Sequence, residues 1–122
     1  MPNTDDMKAL LENFLNYIRQ SYANSGVETV TDEVSAEEIW IPMRDNVKLR
    51  AILYRPKAYE KLPLILQRTC YPHNDVFYRV TAEEFAKRGY AFLYEYCRGI
   101  GGSGGSWEPN VNDRQDGLDT LE

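Results

Sequence analysis

The sequence predicts an α/β fold of one small domain, preceded by an extra amphipathic helix. Three observations carry that expectation. Residues 47–55 alternate with period 2 after a turn-forming stretch, the short apolar runs 62–66 and 90–94 bracket a helical stripe, and residues 4–22 hold a separate stripe of their own. Apolar runs on either side of a helix imply two parallel strands joined by a right-handed crossover. A hairpin leading into such a unit makes a sheet covered by helices.

The elements follow in order. Met7, Leu10, Leu11, Phe14, Leu15, Ile18 and Tyr22 recur at the spacing of one helical face. Asn3 or Thr4 can cap that helix, and Asp5 and Asp6 suit its positive end. Its polar face (Lys8, Glu12, Asn16, Arg19, Gln20) is mixed rather than basic, which favours packing on its own domain or on a partner over a membrane surface. Residues 23–36 are polar and without period, so they read as an arm, and the expected division is 1–36 (helix and arm) and 37–122 (the α/β unit). Strand character begins at Ile39, breaks at Arg44-Asp45-Asn46 and resumes from Val47 to Pro56, an antiparallel hairpin. Leu62 to Leu66 is a strand covered on both faces, and residues 75–88 form a helix with Val76, Val80, Phe85 and Ala86 inward and Gly89 as its cap. Tyr90 to Tyr94 is the parallel partner strand, and a last helix opens at Asn112.

Composition narrows the function classes. The chain has 122 residues, 43% hydrophobic and 27% charged, which is ordinary globular material. A net charge of −5 with scattered Lys and Arg excludes a nucleic-acid footprint. No apolar stretch is long enough to span a bilayer, and the opening PNTDDMK is no secretory signal, so a cytoplasmic setting without a membrane partner is expected. Two cysteines, Cys70 and Cys97, make no disulfide framework and are expected as reduced, buried small hydrophobes. No cofactor or metal is expected.

The glycine-rich stretch CRGIGGSGGSWEP, residues 97–109, matches several motifs at once. A dinucleotide fingerprint requires the glycines to open a helix directly, and here Ser106-Trp107-Glu108-Pro109 intervenes. Asp119, at the distance of a ribose-binding acid, falls in a helical pattern rather than at a strand end. A nucleophile elbow requires strand, serine and helix in immediate succession, with the histidine following along the chain. Ser103 lies well past its strand, and the single histidine, His73, precedes it. An engineered linker would not run on into Trp107, Pro109 and a capped helix. The stretch reads as a flexible turn after a parallel strand, and its G-x-S-x-G match as a decoy.

Four words in order carry a resemblance: IPMRDNVKLRAILYRP (41–56), LILQRTCY (64–71), FAKRGYAFLYEYCRGIGGSGGSWEP (85–109) and NDRQDGLDTLE (112–122). Together they resemble the start of the X-Pro dipeptidyl-peptidase and cocaine esterase family of α/β-hydrolases, over about two thirds of the chain. The resemblance implies the N-terminal part of an α/β-hydrolase sheet and a Ser-His-Asp mechanism on esters or peptides. It also implies a role for Tyr71, whose counterpart donates its phenol hydroxyl to the oxyanion hole. The chemistry is apt, because acyl transfer passes through a tetrahedral oxyanion and one preorganised donor is worth about 3 kcal/mol. Tyr71 is accordingly the one catalytic candidate. His73 reads as a solvated loop residue, Arg98 as an anchor for the glycine loop, and Glu95 and Asp75 as solvated or paired side chains.

Three departures from the family pattern bear on the site. Cys70 stands where proline is usual, Asn46 where a turn glycine is usual, and Tyr96 where aspartate is usual. The last removes a carboxylate that could pair with Arg98. The strand, elbow, acid and histidine that follow in the family are expected beyond Glu122. Such an incomplete fold exposes an apolar parallel edge at Leu64 to Gln67, so self-association or a companion chain is expected there and at helix 4–22. A non-catalytic interaction module is the alternative to a serine acyl hydrolase.

Overall fold

The computed structural model describes residues 4–57, 61–71, 75–108 and 111–121. The element order is α1 (Thr4–Ala23), β1 (Val34–Pro42), β2 (Lys48–Pro56), β3 (Leu64–Thr69), α2 (Asp75–Lys87), β4 (Ala91–Tyr96) and α3 (Asp113–Leu121). The four strands form one sheet in the order β1-β2-β4-β3. β1 and β2 pair antiparallel, with Ile39 opposite Ala51, and β2 pairs antiparallel with β4, with Ile52 opposite Tyr94. β3 and β4 run parallel from Leu64↔Ala91 to Thr69↔Tyr96, and α2 is their crossover. The expected hairpin and strand-helix-strand unit are both present.

Local chemistry explains the boundaries. In the β1–β2 turn, Asn46 sits at φ 68°, a left-handed conformation that asparagine tolerates and that a turn glycine would also adopt. Asn46 N–H donates to the Met43 carbonyl, and Asp45 Oδ1 accepts the Val47 N–H. At the end of α2, Gly89 (φ 94°) donates to the Ala86 carbonyl and Tyr90 to that of Phe85, the paired bonds of a Schellman cap.

Two strand boundaries differ from expectation. β1 begins at Val34, inside the stretch read as a polar arm, because an outer strand is held by backbone pairing and can present Glu37 and Glu38 to water. β3 runs from Leu64 to Thr69 rather than from Leu62 to Leu66. Its polar half is retained because Arg68 finds a carboxylate on the neighbouring strand and Thr69 is buried.

One face of the sheet packs on α2 through Tyr54, Ala82, Ala86, Phe92, Tyr94 and Tyr96. α1 lies over α2, with Phe14 edge-on to Phe77 at 5.3 Å and Tyr22 edge-on to Phe85 at 5.5 Å. Only Leu15 of α1 is fully buried, and Met7, Leu10 and Phe14 remain exposed. The apolar stripe is therefore covered along part of its length. α3 lies against the opposite face, where Glu95 points. The outer edge of β3 has no neighbouring strand among the described residues. Nor is any helix among them long and apolar enough to cross a membrane.

Candidate active site

The carboxyl ends of β3 and β4 lie side by side, and the residues that matter converge there. In parallel α/β sheets this end of the strands is where substrates sit. Tyr71 follows β3 by two residues, and 59% of it is exposed, so it is not a core tyrosine. Its backbone N–H donates to Thr69 Oγ1 at 2.9 Å, a local turn bond that fixes the exit from the strand. His73 lies outside the described residues.

The far end of the same loop is held at Asp75, the first residue of α2. The Asp75 carboxylate accepts hydrogen bonds from both the Tyr94 and the Tyr96 phenols, Tyr94 at 2.8 Å. A carboxylate in the first turn also suits the helix dipole. Burial first, and then these bonds to Asp75, raise both phenols above their usual range, Tyr96 to about 12. Tyr96, standing in place of the usual aspartate, thus anchors the start of α2. Asp75 is one of the paired side chains that the sequence reading allowed.

The glycine loop after β4 is built around Ser103 and Arg98. Ser103, nearly buried, accepts the Arg50 N–H at 2.8 Å and donates to the Tyr96 carbonyl at 2.8 Å. Its hydroxyl is engaged on both sides, as fits a structural serine rather than a nucleophile. Gly104 N–H donates to the Lys48 carbonyl, and Gly99 N–H to that of Gly104. The stretch expected as a flexible turn is instead a loop hydrogen-bonded to β2. At Gly101 (φ 57°) a Cβ would run into the Tyr96 ring, so the backbone itself lies against that ring.

Arg98 has two carboxylate partners, neither of them at position 96, where the family pattern has an aspartate and this chain has Tyr96. Its Nε and Nη2 donate to Asp116 of α3 at 3.1 and 2.8 Å. Its Nη1 donates to Asp45 of the hairpin turn at 2.8 Å. Asp116 is 1% exposed, so this bidentate pair is buried. Bonds to Asp116 first, then Asp45, raise the guanidinium pKa further, and bonding to Arg98 holds the Asp45 carboxyl below its usual value. One cation thus joins the hairpin, the glycine loop and α3, the anchoring role read from the sequence.

A second buried pair stands beside it. Arg68 Nε donates to Glu95 Oε1 at 2.7 Å, Thr120 Oγ1 donates to Glu95 Oε2 at 2.7 Å, and Glu95 is fully buried. Arg44 and Asp119 add a bidentate pair at the surface, so the acid at the distance of a ribose-binding residue binds an arginine. Residues 45–122 match the profile of the X-Pro dipeptidyl-peptidase (S15 family). The chain belongs to this family.

The S15 match takes in Asp45, Tyr71, Arg98 and Asp116 but leaves out α1 and β1. The cocaine esterase of Rhodococcus sp. (strain MB1 Bresler) is 40% identical over 90 residues, which are 70% of this chain and 16% of that enzyme. Among solved structures, an alpha-amino acid ester hydrolase superposes with a TM-score of 0.61 at 24% identity, over 81% of this chain and 20% of that one. An aminopeptidase from a marine sediment archaeon, Thaumarchaeota archaeon, gives a TM-score of 0.60 at 25% identity, over 77% of this chain and 19% of that one. The chain therefore corresponds to the N-terminal part of an α/β-hydrolase fold and spans about a fifth or less of these relatives. The S15 family and the relatives are named as peptidases and esterases.

Sequence reasoning missed Asp45 and Asp116 as partners of Arg98, and the roles of Asp75 and Glu95. Both Arg98 partners lie within the quoted words MRDN and NDRQDG. The words show that the residues are there, and only the fold shows that they meet.

Proposed function

We propose that this chain is the N-terminal portion of a serine acyl hydrolase for esters or peptides, in which Tyr71 donates its phenol O–H to the tetrahedral oxyanion. The nucleophile, acid and histidine come from polypeptide beyond Glu122. The position of Tyr71 carries the proposal. It stands in the loop after β3, the loop that supplies an oxyanion donor in α/β-hydrolases. Thr69 accepts the Tyr71 N–H beside the strand end, and Asp75, which accepts from two phenols, begins the helix that follows. Such preorganisation is what an oxyanion donor requires.

In the complete polypeptide, Tyr71→Phe should lower kcat about a hundredfold with little change in KM, the size expected for one lost donor. Unchanged turnover removes the role assigned to Tyr71. A serine-directed phosphonate should label the complete polypeptide at a serine other than Ser103.

The edge of β3, without a neighbouring strand among the described residues, and the exposed half of α1 favour a second reading, a non-catalytic module that binds another chain through them. Complete absence of phosphonate labelling, with stable association to a partner or a second copy, decides for that module.

A further inference from the structure

We propose that Cys70 and Cys97 form a thiol pair that a hydroperoxide closes into a disulfide, tying the end of β3 to the end of β4. The two residues directly follow the last pair of the parallel ladder, one on each strand. Its last register pair is Thr69↔Tyr96, and Cys97 N–H continues the ladder by donating to the Thr69 carbonyl at 2.9 Å. Neighbouring strands lie about 4.8 Å apart, inside the Cα separation of about 4.4–6.8 Å that a disulfide needs. Side chains alternate along a strand, and Arg68 and Glu95, two residues before each cysteine, meet at 2.7 Å on one face. Continued by one step, that alternation puts Cys70 and Cys97 on the same face, and Cys97 interacts electrostatically with both Arg68 and Cys70.

The two thiols differ in the way a reacting and a resolving cysteine differ. Both are free, Cys70 half-buried and Cys97 buried. The expectation of two buried cysteines therefore holds for Cys97 only. Burial pushes the Cys97 thiol up, and the nearby Arg68 guanidinium pulls it back. Arg68 Nη2 is buried with no hydrogen-bond partner among the described residues, which leaves a donor on the thiol-bearing face.

The chemistry balances with a hydroperoxide as the oxidant. The Cys70 thiolate attacks one peroxide oxygen and the O–O bond breaks, leaving a sulfenic acid and a hydroxide. The Cys97 sulfur then attacks the sulfenic sulfur. The S–S bond forms as the S–O bond breaks, and the leaving hydroxide takes up the Cys97 proton as water. In sum, two thiols lose two electrons and one hydrogen peroxide becomes two waters. Cys70 immediately precedes Tyr71, so the bond would also fix the loop proposed to carry the oxyanion donor. That consequence rests on the role proposed for Tyr71, and the bond itself does not.

The test is disulfide mapping on the full chain. Reduced protein is treated with hydrogen peroxide, its remaining thiols are alkylated, and it is digested with trypsin without reductant. Mass spectrometry should find tryptic peptides 69–79 and 89–98 joined, about 2 Da lighter than their sum, and separated by dithiothreitol. In Cys97→Ser, Cys70 should instead accumulate as a sulfenic acid that dimedone traps. Recovery of two free thiols overturns the proposal, and so does independent oxidation to sulfinic acids or a link only between two chains. Because the wild-type mapping reads a mass and not an activity, its result is separable from that of Tyr71→Phe.

Discussion

Replacing Arg98 by methionine removes the one cation shared by the hairpin turn, the glycine loop and α3. Methionine keeps much of the aliphatic stem but leaves the Asp116 carboxylate, 1% exposed, without its guanidinium. Stripping one partner from a buried ion pair costs about 3–5 kcal/mol, because the surviving charge stays desolvated. Asp45 adds little to that figure, since its side chain is 47% exposed and water can replace the lost bond. A domain of ordinary stability, about 5–15 kcal/mol, would lose a large share of it. Urea unfolding followed by far-ultraviolet circular dichroism reads the change. With a slope of about 2 kcal/mol/M, the midpoint should fall by about 2 M. The double variant Arg98→Met/Asp116→Leu should regain most of the loss, because a well-packed apolar replacement removes both charges from the interior. If Arg98→Met costs less than about 1 kcal/mol, or if the double variant is no better than the single one, the buried pair is not the clamp described.

Two further outcomes follow from the same loop and its surroundings. Ser103→Ala strips the Arg50 N–H and the Tyr96 carbonyl of a buried partner, so it should destabilise the fold by about 1–3 kcal/mol in the same unfolding assay. In the complete polypeptide it should leave phosphonate labelling intact, and loss of labelling would make Ser103 the nucleophile after all. The carboxyls of Asp45 and Asp119 are held below 3.8 by bonds to Arg98 and Arg44, so their ionised forms stabilise the fold. That contribution is complete above the unfolded value and is lost as pH falls below 3.8 through the lowered values. Urea midpoints measured between pH 5 and pH 2 should therefore drop more steeply for the parent than for Arg44→Gln, and equal slopes would mean that the Arg44–Asp119 pair contributes nothing.

Much of the fold was legible because it rests on short-range chemistry. The period of α1, the turn at Asp45-Asn46 and the glycine cap of α2 all involve residues a few positions apart. The start of β1 and the second half of β3 were not legible. Both are polar stretches whose strand character comes from a neighbour: β2 pairs with Val34 to Glu38, and Glu95 receives Arg68. The same division holds at the site. The word around Tyr71 marks it by position in the sequence, while the anchoring of its loop depends on Tyr94 and Tyr96 reaching Asp75 from another strand.

By itself the sequence determined the class of fold, the family resemblance and the reading of Ser103 as a decoy, since spacing and order along the chain suffice for each. Only the tertiary structure decided what Arg98 binds and what stands beside Cys70. Arg98 meets Asp45 from 53 positions away and Asp116 from 18, and Cys70 and Cys97 each follow the last pair of the parallel ladder, Thr69↔Tyr96. Such contacts depend on strand order and crossover handedness, which bring distant residues to one sheet edge, and no local pattern encodes which residues will arrive there together.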